Sequence, residues 1–373
     1  MEGKSQRDDV QSPRHLPHLP DDIIFKQILP WLPIKPLTRF KAVSKEWYTS
    51  ISSPNFILNY TKKPLFSHPG KPLESVFIES GGSFYLYSCE HEDNVQSYAE
   101  ENNNNLVRLN VEFDIDETDR VDLEGCSNGL VCLTSYHGKY FILWNPATNQ
   151  YQKYMCLPYL HISGFGYVSS LDDYKVVGIM SDRKGCKQCH VFSLKSNTWE
   201  KIEFDFDGYF LLADPIFVNQ TLHWTALCHS TQKVRIVAFD LALGTLEWFP
   251  LLSFNKRKPP GICVMGGCLS KLDFNSQNDL VIEIVKRSGE VFPVCFSCAS
   301  SWYDINYLIG FTKTGKIFVV FHNPRMFGLV DPSSKQPFSL TEDQGILKID
   351  SYVPSQISPH SPMDLQNARE LET

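Results

Sequence analysis

Three short patterns in the sequence contain residues whose types and spacing could bind a cofactor. Cys186-Lys-Gln-Cys189-His190 has the CxxCH spacing of covalent haem attachment. Cys295-Phe-Ser-Cys298 is a second CxxC that could supply thiolates to zinc. Gly164-Phe-Gly166 could begin a phosphate-binding loop. Whether each pattern can bind a cofactor depends on the strand, turn or helix that holds its residues.

The surroundings of these patterns argue against cofactor chemistry. Residues three apart on an extended strand point to opposite faces of a sheet, so chelation needs a turn at each cysteine pair. Ser169 stands where a phosphate loop needs its third glycine, and no helical pattern follows. The sequence contains no GxSxG, HExxH or Walker-type motif. We therefore expect no catalytic residue, no metal site and no cofactor.

The composition narrows the class of protein and of partner. Of 373 residues, 42% are hydrophobic and 13% aromatic, which is typical of a folded protein with an aromatic-rich core. A net charge of -7 argues against nucleic acid as a partner. The first fifteen residues lack the apolar run of a signal peptide, and no apolar stretch is long enough to cross a membrane. We expect no membrane partner, a location in the cytoplasm or nucleus, and reduced cysteines.

A small all-α module is predicted near the N-terminus, over residues 16–60, after a disordered lead-in at 1–15. Ile24 and Ile28 fall four apart, as do Phe25 and Leu29, which gives one helix an apolar stripe. A second helix is predicted after Pro36, and its apolar face carries Leu37, Phe40, Val43, Trp47 and Ile51. So short a module cannot bury all of these side chains alone, and the apolar surface left over indicates a partner site.

An all-β domain is predicted from residue 73 to residue 351, after a linker at 61–72 and before a flexible tail at 352–373. Short apolar runs alternate there with Gly, Asn, Asp and Pro about every eight to twelve residues. The clearest runs are Gly129–Leu133, Tyr140–Trp144, Tyr174–Ile179, Val234–Phe239 and Lys316–Val320.

The β domain also repeats a hairpin that ends on an aromatic residue. Its copies are Trp144–Tyr151, Phe192–Trp199, Phe239–Trp248 and Leu329–Phe338. The closing aromatics lie 48, 49 and 90 positions apart, and Phe292 is a candidate for the unit missing from the longest gap. A period in the forties is typical of one four-stranded propeller blade. Residues 75–113 could supply a further, irregular blade.

The N-terminal module resembles the F-box. The matching residues are Leu19-Pro20, Ile28-Leu29, Leu32-Pro33-Ile34-Lys35-Pro36-Leu37, Arg39-Phe40, Val43-Ser44-Lys45, Trp47, Ile51, Pro54 and Phe56. The resemblance implies about three helices that bind a Skp-type adaptor and, through it, cullin and a RING subunit. The residues it assigns to adaptor contact are Leu19, Pro20, Ile24, Ile28, Leu29, Leu32, Pro33, Ile34, Leu37, Val43 and Trp47. One extra residue follows Leu19-Pro20, and Pro30 and Pro36 replace small polar residues of the family.

The β domain resembles the F-box-associated domain of plant F-box proteins, which is related to kelch-type propellers. The matching segments include Gly125–Leu133, Leu143–Thr148, Gly164–Tyr167 and Phe217–Trp224. Residues 281–300 depart from the family pattern, because this segment has Val285–Pro293 where the family tends to have a strand, a charged turn and a Trp. The glycines and the Asn-Pro turn are explained by tight hairpins. Target contact would come from variable loops at one rim, which the sequence does not identify.

Together these resemblances imply the substrate-recognition subunit of an SCF-type ubiquitin ligase. Such a subunit is not an enzyme, since it holds the adaptor and a target protein but makes no bond itself. An interaction scaffold outside any ligase and a propeller enzyme acting on a small molecule are the alternatives. The residues do not indicate which protein is the target.

Overall fold

The computed structural model describes a defined part of the chain. The described residues are 24–25, 29, 39–51, 53, 56, 73–89, 106–115, 119–182, 185–203, 209–212, 214–231, 233–248, 261–265, 268–274, 280–285, 291–296, 305–312, 314–321, 326–330, 337–342 and 347–362. The chain divides into two units, Met1–Tyr60 and Thr61–Thr373. The predicted lead-in and linker lie outside the described residues. No helix within those ranges is long and apolar enough to span a bilayer.

The first unit contains helix α1, Lys45–Ile51. Arg39 and Phe40 are also helical, but a turn at residues 41–43 separates them from α1. Ser44 caps the new helix, because its Oγ accepts a hydrogen bond from the Trp47 backbone N–H at 3.1 Å. The prediction of one helix carrying the apolar residues from Leu37 to Ile51 is therefore wrong. The count of about three helices stays a prediction, because most of this unit lies outside the described residues.

The second unit is built from antiparallel strands. In chain order they are β1 (Ser75–Ser80), β2 (Ser83–Ser88), β3 (Leu106–Leu109), β4 (Val121–Ser127), β5 (Leu130–Ser135), β6 (Tyr140–Asn145), β7 (Gln150–Met155), β8 (His161–Val168), β9 (Asp173–Asp182), β10 (Gly185–Ser193), β11 (Thr198–Ile202), β12 (Tyr209–Leu211), β13 (Ile216–Val218), β14 (Thr221–Cys228), β15 (Val234–Asp240), β16 (Thr245–Trp248), β17 (Gly261–Met265), β18 (Cys268–Phe274), β19 (Leu280–Val285), β20 (Val291–Phe296), β21 (Ile305–Phe311), β22 (Ile317–Phe321), β23 (Met326–Val330), β24 (Pro337–Glu342) and β25 (Leu347–Tyr352).

These strands form six sheets, which are the blades of a β-propeller. Blade 1 has the order β25-β1-β2-β3, blade 2 is β4–β7, blade 3 is β8–β11, blade 4 is β12–β16, blade 5 is β17–β20 and blade 6 is β21–β24. The innermost strands contact one another in the order β25, β4, β8, β13, β17, β21 and back to β25. The predicted propeller is thus confirmed, and the ring closes with six blades.

Blade 1 closes the ring by joining the two ends of the domain. Strand β25 pairs with β1 in an unbroken register from Ser75 opposite Tyr352 to Ser80 opposite Leu347. The expected blade at residues 75–113 therefore exists, but its innermost strand comes from the C-terminal end. Strands separated by most of the domain share one sheet, and their pairing holds the ring shut.

The predicted hairpins form the outer edges of the blades. Trp144 lies opposite Tyr151, Phe192 opposite Trp199, and Leu329 opposite Phe338. In blade 4 the register differs, because Phe239 pairs with Leu246 and Trp248 lies two residues further along. Blade 5 contains the missing unit, with Phe292 of β20 opposite Ile284. Its strands β19 and β20 keep a continuous register despite the departure from the family pattern.

Aromatic and small residues together allow neighbouring blades to pack. Between blades 1 and 2, the rings of Phe77 and Trp144 meet edge to face with centroids 5.8 Å apart. Between blades 3 and 4, a β-carbon at Gly164 would lie 2.6 Å from the Leu222 side chain, and one at Gly166 would overlap Phe217. These glycines lie within β8 and permit close blade packing, so they do not form a phosphate loop.

The C-terminal segment differs from the flexible tail expected from residue 352. Residues 352–362 pack against blade 2, and Ser355 and Ser361 are buried. The Asn145 side-chain amide donates hydrogen bonds to the carbonyls of Ser355 at 3.1 Å and Ile357 at 2.7 Å. The Tyr154 hydroxyl donates to the Pro359 carbonyl at 2.9 Å. Polar side chains of the propeller thus hold a segment without apolar periodicity, while residues 363–373 lie outside the described part.

Candidate interaction surfaces

Four of the predicted adaptor-contact residues are among the described residues of the first unit. Leu29 is 2% exposed and Val43 is 58% exposed, while Ile24 and Trp47 are half-buried. The other predicted contact residues lie outside the described part of the chain, and they are Leu19, Pro20, Ile28, Leu32, Pro33, Ile34 and Leu37. Of the described four, Val43 offers the most open apolar side chain, so it is the position best suited to test adaptor contact.

Trp47 belongs to a small aromatic group within this unit. Its ring contacts that of Phe25 with centroids 5.3 Å apart and that of Phe40 at 5.5 Å. Ile51, on the same helix, is fully buried. Trp47 therefore supports the packing of the first unit as well as leaving part of its surface open. Removing its side chain would disturb the fold and any interface together.

The strand order gives the propeller two rims that carry different connections between strands. Blades 2, 3, 5 and 6 are antiparallel meanders, so hairpins between their first and second strands and between their third and fourth strands lie at one rim. We call this the turn rim. The opposite rim carries the hairpins between second and third strands and the connections between blades, and we call it the loop rim. Neighbouring inner strands end together at the turn rim, as the hydrogen bond from Tyr167 N to Ser127 Oγ indicates.

The turn rim is shaped by residues with left-handed backbone conformation. Asn128 and Gly129 have φ of 46° and 84° in the two-residue turn between β4 and β5. The Tyr352 hydroxyl donates to the Gly129 carbonyl at 3.4 Å, and the C-terminal segment continues across this rim. The glycines and the Asn-Pro turn therefore have the structural role expected from the sequence.

The loop rim of blade 2 exposes aromatic and apolar side chains on connected loops. Tyr136 is 60% exposed, Met155 68% and Tyr159 91%. The Tyr136 N–H donates to the Arg120 carbonyl at 2.8 Å, and the Arg120 guanidinium lies 4.4 Å from the centre of the Tyr136 ring. Exposed aromatics beside a charged group are typical of protein-binding surfaces.

A group of charged residues lies at the loop-rim end of the propeller axis. We call it the mouth cluster, and its members are Glu79, Arg120, Asp122, Glu124, Asp214 and Lys348. Lys348 lies on β25, and Asp214 lies just before β13, three places around the ring of inner strands. Their Nζ and Oδ2 atoms are 3.5 Å apart. Since those strands stand opposite each other, this ion pair reaches across the axis.

Burial and mutual charge perturb the groups of this cluster. Desolvation raises the pKa of Glu124 to about 8 against the attraction of Lys348, so at neutral pH the carboxyl is largely protonated. Burial alone would lower the pKa of Lys348. The nearby carboxyl groups of Glu124 and Asp214 more than offset this effect, so the net shift of the Lys348 pKa is upward. Burial also raises the pKa of Glu79, and the hydrogen bond from Gly82 N–H opposes this.

Sequence reasoning missed the mouth cluster, although a signal was present. Asp122 and Glu124 alternate with Val121 and Leu123 on β4, and both apolar residues are buried. Polar residues at alternate positions of an innermost strand face away from the hydrophobic interior. Nothing local to the sequence brings these carboxyls to Lys348, because that proximity requires the closed ring.

The cysteine patterns do not assemble a metal centre among the described residues. Cys189 is buried on β10, and a bulge interrupts the register between Cys186 and Gln188. Cys295 lies on β20, and Cys298 lies outside the described part. Within the described ranges, no group of three or more His, Cys, Asp or Glu side chains could hold a metal ion.

Comparison with known families matches both units. Residues 16–59 match the model described as the F-box domain, and residues 75–257 match the F-box associated beta propeller domain. A chain from a crystal structure of a nidogen/laminin complex has a TM-score of 0.49 and 9% sequence identity, over 75% of this chain and 99% of that one. That likeness is too weak to carry an argument.

Several similar proteins come from Arabidopsis thaliana. F-box/kelch-repeat protein At3g23880 is 27% identical over 76% of this chain and 79% of its own length. Putative F-box protein At3g16210 is 28% identical over 64% of this chain and 62% of its own length. F-box protein CPR1 is 27% identical over 67% of this chain and 65% of its own length. The match thus spans less than two thirds of the second and third of these relatives.

Proposed function

Since this chain belongs to the plant F-box proteins with an F-box-associated β-propeller, we propose that it is the substrate-recognition subunit of an SCF-type ubiquitin ligase. The observation that carries the proposal is the presence of both modules in one chain, an F-box at 16–59 and a six-bladed propeller. The F-box binds a Skp-type adaptor and, through it, cullin and a RING subunit. The propeller binds the target protein.

In this role the chain contributes proximity and no bond chemistry. A target held on the propeller is confined near the charged ubiquitin-conjugating enzyme, so its lysines react at a high effective concentration. A rigid ring of blades suits this task, because it presents loops at a fixed place while strands carry the stability. The complex would act in the cytoplasm or nucleus, and its product would be a ubiquitinated target bound for degradation.

The adaptor interface is tested by exchanging an exposed apolar residue of the first unit. We expect Val43→Asp to reduce co-purification of a Skp-type adaptor by at least about tenfold, because it places a charge in an apolar contact. Tyr48→Asp is the matched control, since Tyr48 is 59% exposed and is not a predicted contact residue. Equal recovery of adaptor with wild type and Val43→Asp would contradict the assigned interface.

The ligase role is tested with the same preparations. Cullin should appear with the adaptor in complexes of the full chain. Recovery of propeller-bound proteins without adaptor or cullin would instead favour a scaffold outside any ligase. Helical circular dichroism of both first-unit variants separates loss of binding from loss of folding.

A further inference from the structure

The charge and position of the mouth cluster point to the chemistry of the target. We propose, building on the proposed recognition function, that the mouth cluster is a docking site for a lysine or arginine side chain on an exposed segment of the target protein. The neighbouring aromatics of the loop rim would pack against the rest of that segment.

The cluster holds more acid than base. Besides Glu124, whose carboxyl is largely protonated at neutral pH, three carboxyl groups, on Glu79, Asp122 and Asp214, face two cations, on Arg120 and Lys348. Glu79 lies directly opposite Lys348 in the pairing of β1 with β25, so both side chains occupy the same face. An additional cation would therefore improve the charge balance of this site.

Among the described residues, one carboxylate oxygen of the mouth cluster is buried without a hydrogen-bond donor. Glu79 is 2% exposed, and its Oε2 atom has no hydrogen-bond partner among the described residues. Its other oxygen, Oε1, accepts the Gly82 N–H at 3.1 Å. A buried acceptor without a donor is costly, and an ammonium or guanidinium group supplies donors as well as charge.

The outer members of the cluster are open to a partner. The side chain of Asp214 is 72% exposed and that of Asp122 is 23% exposed. Lys348 already shows how an ammonium is held here, because its Nζ contacts Asp214 and Glu79 lies opposite it on β1. A long, flexible basic side chain entering from the loop rim would meet the same carboxyls.

Exposed aromatics lie beside this entrance. The Arg120 Nε atom is 3.8 Å from Asp122 Oδ1, and the same guanidinium lies over the Tyr136 ring. The ring of Tyr136 thus borders the cluster, and the loops bearing Tyr136 and Tyr159 are linked by the hydrogen bond from Cys156 N–H to the Lys139 carbonyl at 3.0 Å. Tyrosine and arginine are the residues that most often anchor protein interfaces.

The proposal is tested by selection from a displayed library of short random peptides. The bait is the full chain, co-expressed with a Skp-type adaptor and purified by a tag on the full chain. Wild type should enrich Lys and Arg by about threefold over the unselected library, as electrostatic complementarity requires. The D122N/D214N variant should lose this enrichment. The matched control is E200Q/E247Q, which removes two exposed carboxylates from outer strands and should keep it.

Three outcomes would overturn the proposal. They are no Lys or Arg enrichment with wild type, enrichment of acidic residues, and equal loss of enrichment in both double variants. Thermal melting of each bait confirms that it is folded. Adaptor co-purification is measured on the same baits, so absence of charge selection with retained adaptor refutes the docking site alone. Loss of adaptor with retained charge selection refutes the ligase role alone.

Discussion

A glycine on the turn rim couples blade 2 to the C-terminal segment. Gly129 occupies the second position of a two-residue turn with φ of 84°. A β-carbon there would overlap the Ser355 side chain and lie 2.9 Å from the Ser355 backbone nitrogen. Gly82 occupies the same position of the turn between β1 and β2, with φ of 78°, but nothing lies within 4 Å of its β-carbon. The two sites therefore differ in packing and share their backbone conformation.

Because of this difference, the loss of unfolding free energy expected for Gly129→Ala can be divided into a backbone part and a packing part. The left-handed conformation costs alanine about 1 kcal/mol at either site. Overlap with a packed neighbour adds about 2 kcal/mol, the usual scale for overpacking. We expect Gly82→Ala to lower the free energy of unfolding by about 1 kcal/mol and Gly129→Ala by about 3 kcal/mol.

The measurement is urea unfolding followed by tryptophan fluorescence and by circular dichroism. Ser355→Gly in the Gly129→Ala background should recover about 1 kcal/mol, because it removes the overlapping side chain. Equal losses at Gly82 and Gly129 would refute the reasoning. That result would show that residues 352–362 do not press on the turn in solution, and that the segment is as flexible as its sequence suggests.

Further predictions concern buried polar groups. Burial lowers the pKa of His223 from 6.5 to about 4, so the unfolded chain binds a proton first. Relative to His223→Gln, the wild type should therefore lose about 2 kcal/mol of unfolding free energy between pH 7 and pH 5 in urea titrations. Burial raises the pKa of Asp350 to about 6, which makes stability fall as pH rises from 4 to 6, and Asp350→Asn should flatten that slope. Asn145→Ala should lower the free energy of unfolding by about 3 kcal/mol, because it leaves buried carbonyls of the C-terminal segment without donors, while exposed Asn149→Gly changes it by less than about 0.5 kcal/mol.

Turns and hairpins formed by residues close together in the chain can be predicted from the sequence. The turn after Trp144 can be identified because Asn145 accepts hydrogen bonds from the backbone N–H groups of Ala147 and Thr148, a pattern that needs only adjacent residues. The hairpin that follows Phe192 is visible for the same reason. In blade 4 the aromatic at Trp248 misleads, because register is set by turn length and Leu246 holds the equivalent position.

Long-range pairings leave no local signal. The bonds between β1 and β25 join residues such as Ser75 and Tyr352, whose Oγ and carbonyl lie 2.7 Å apart. Neither strand differs from an ordinary strand in composition, so the closing partner of β1 is not encoded nearby. In the first unit, the turn at 41–43 interrupts an apolar pattern of helical period, because Ser44 competes as a cap.

Strand β25 links ring closure to the proposed recognition site. Its backbone completes blade 1 through β1, while its Lys348 side chain reaches across the axis to Asp214 of blade 4. Because these two roles reside in one strand, backbone changes there alter stability and the mouth cluster together. Side-chain changes at Asp122 and Asp214 alter only weak, partly exposed ion pairs, which contribute about 1 kcal/mol or less to stability. The charge of the loop rim can therefore change without opening the ring.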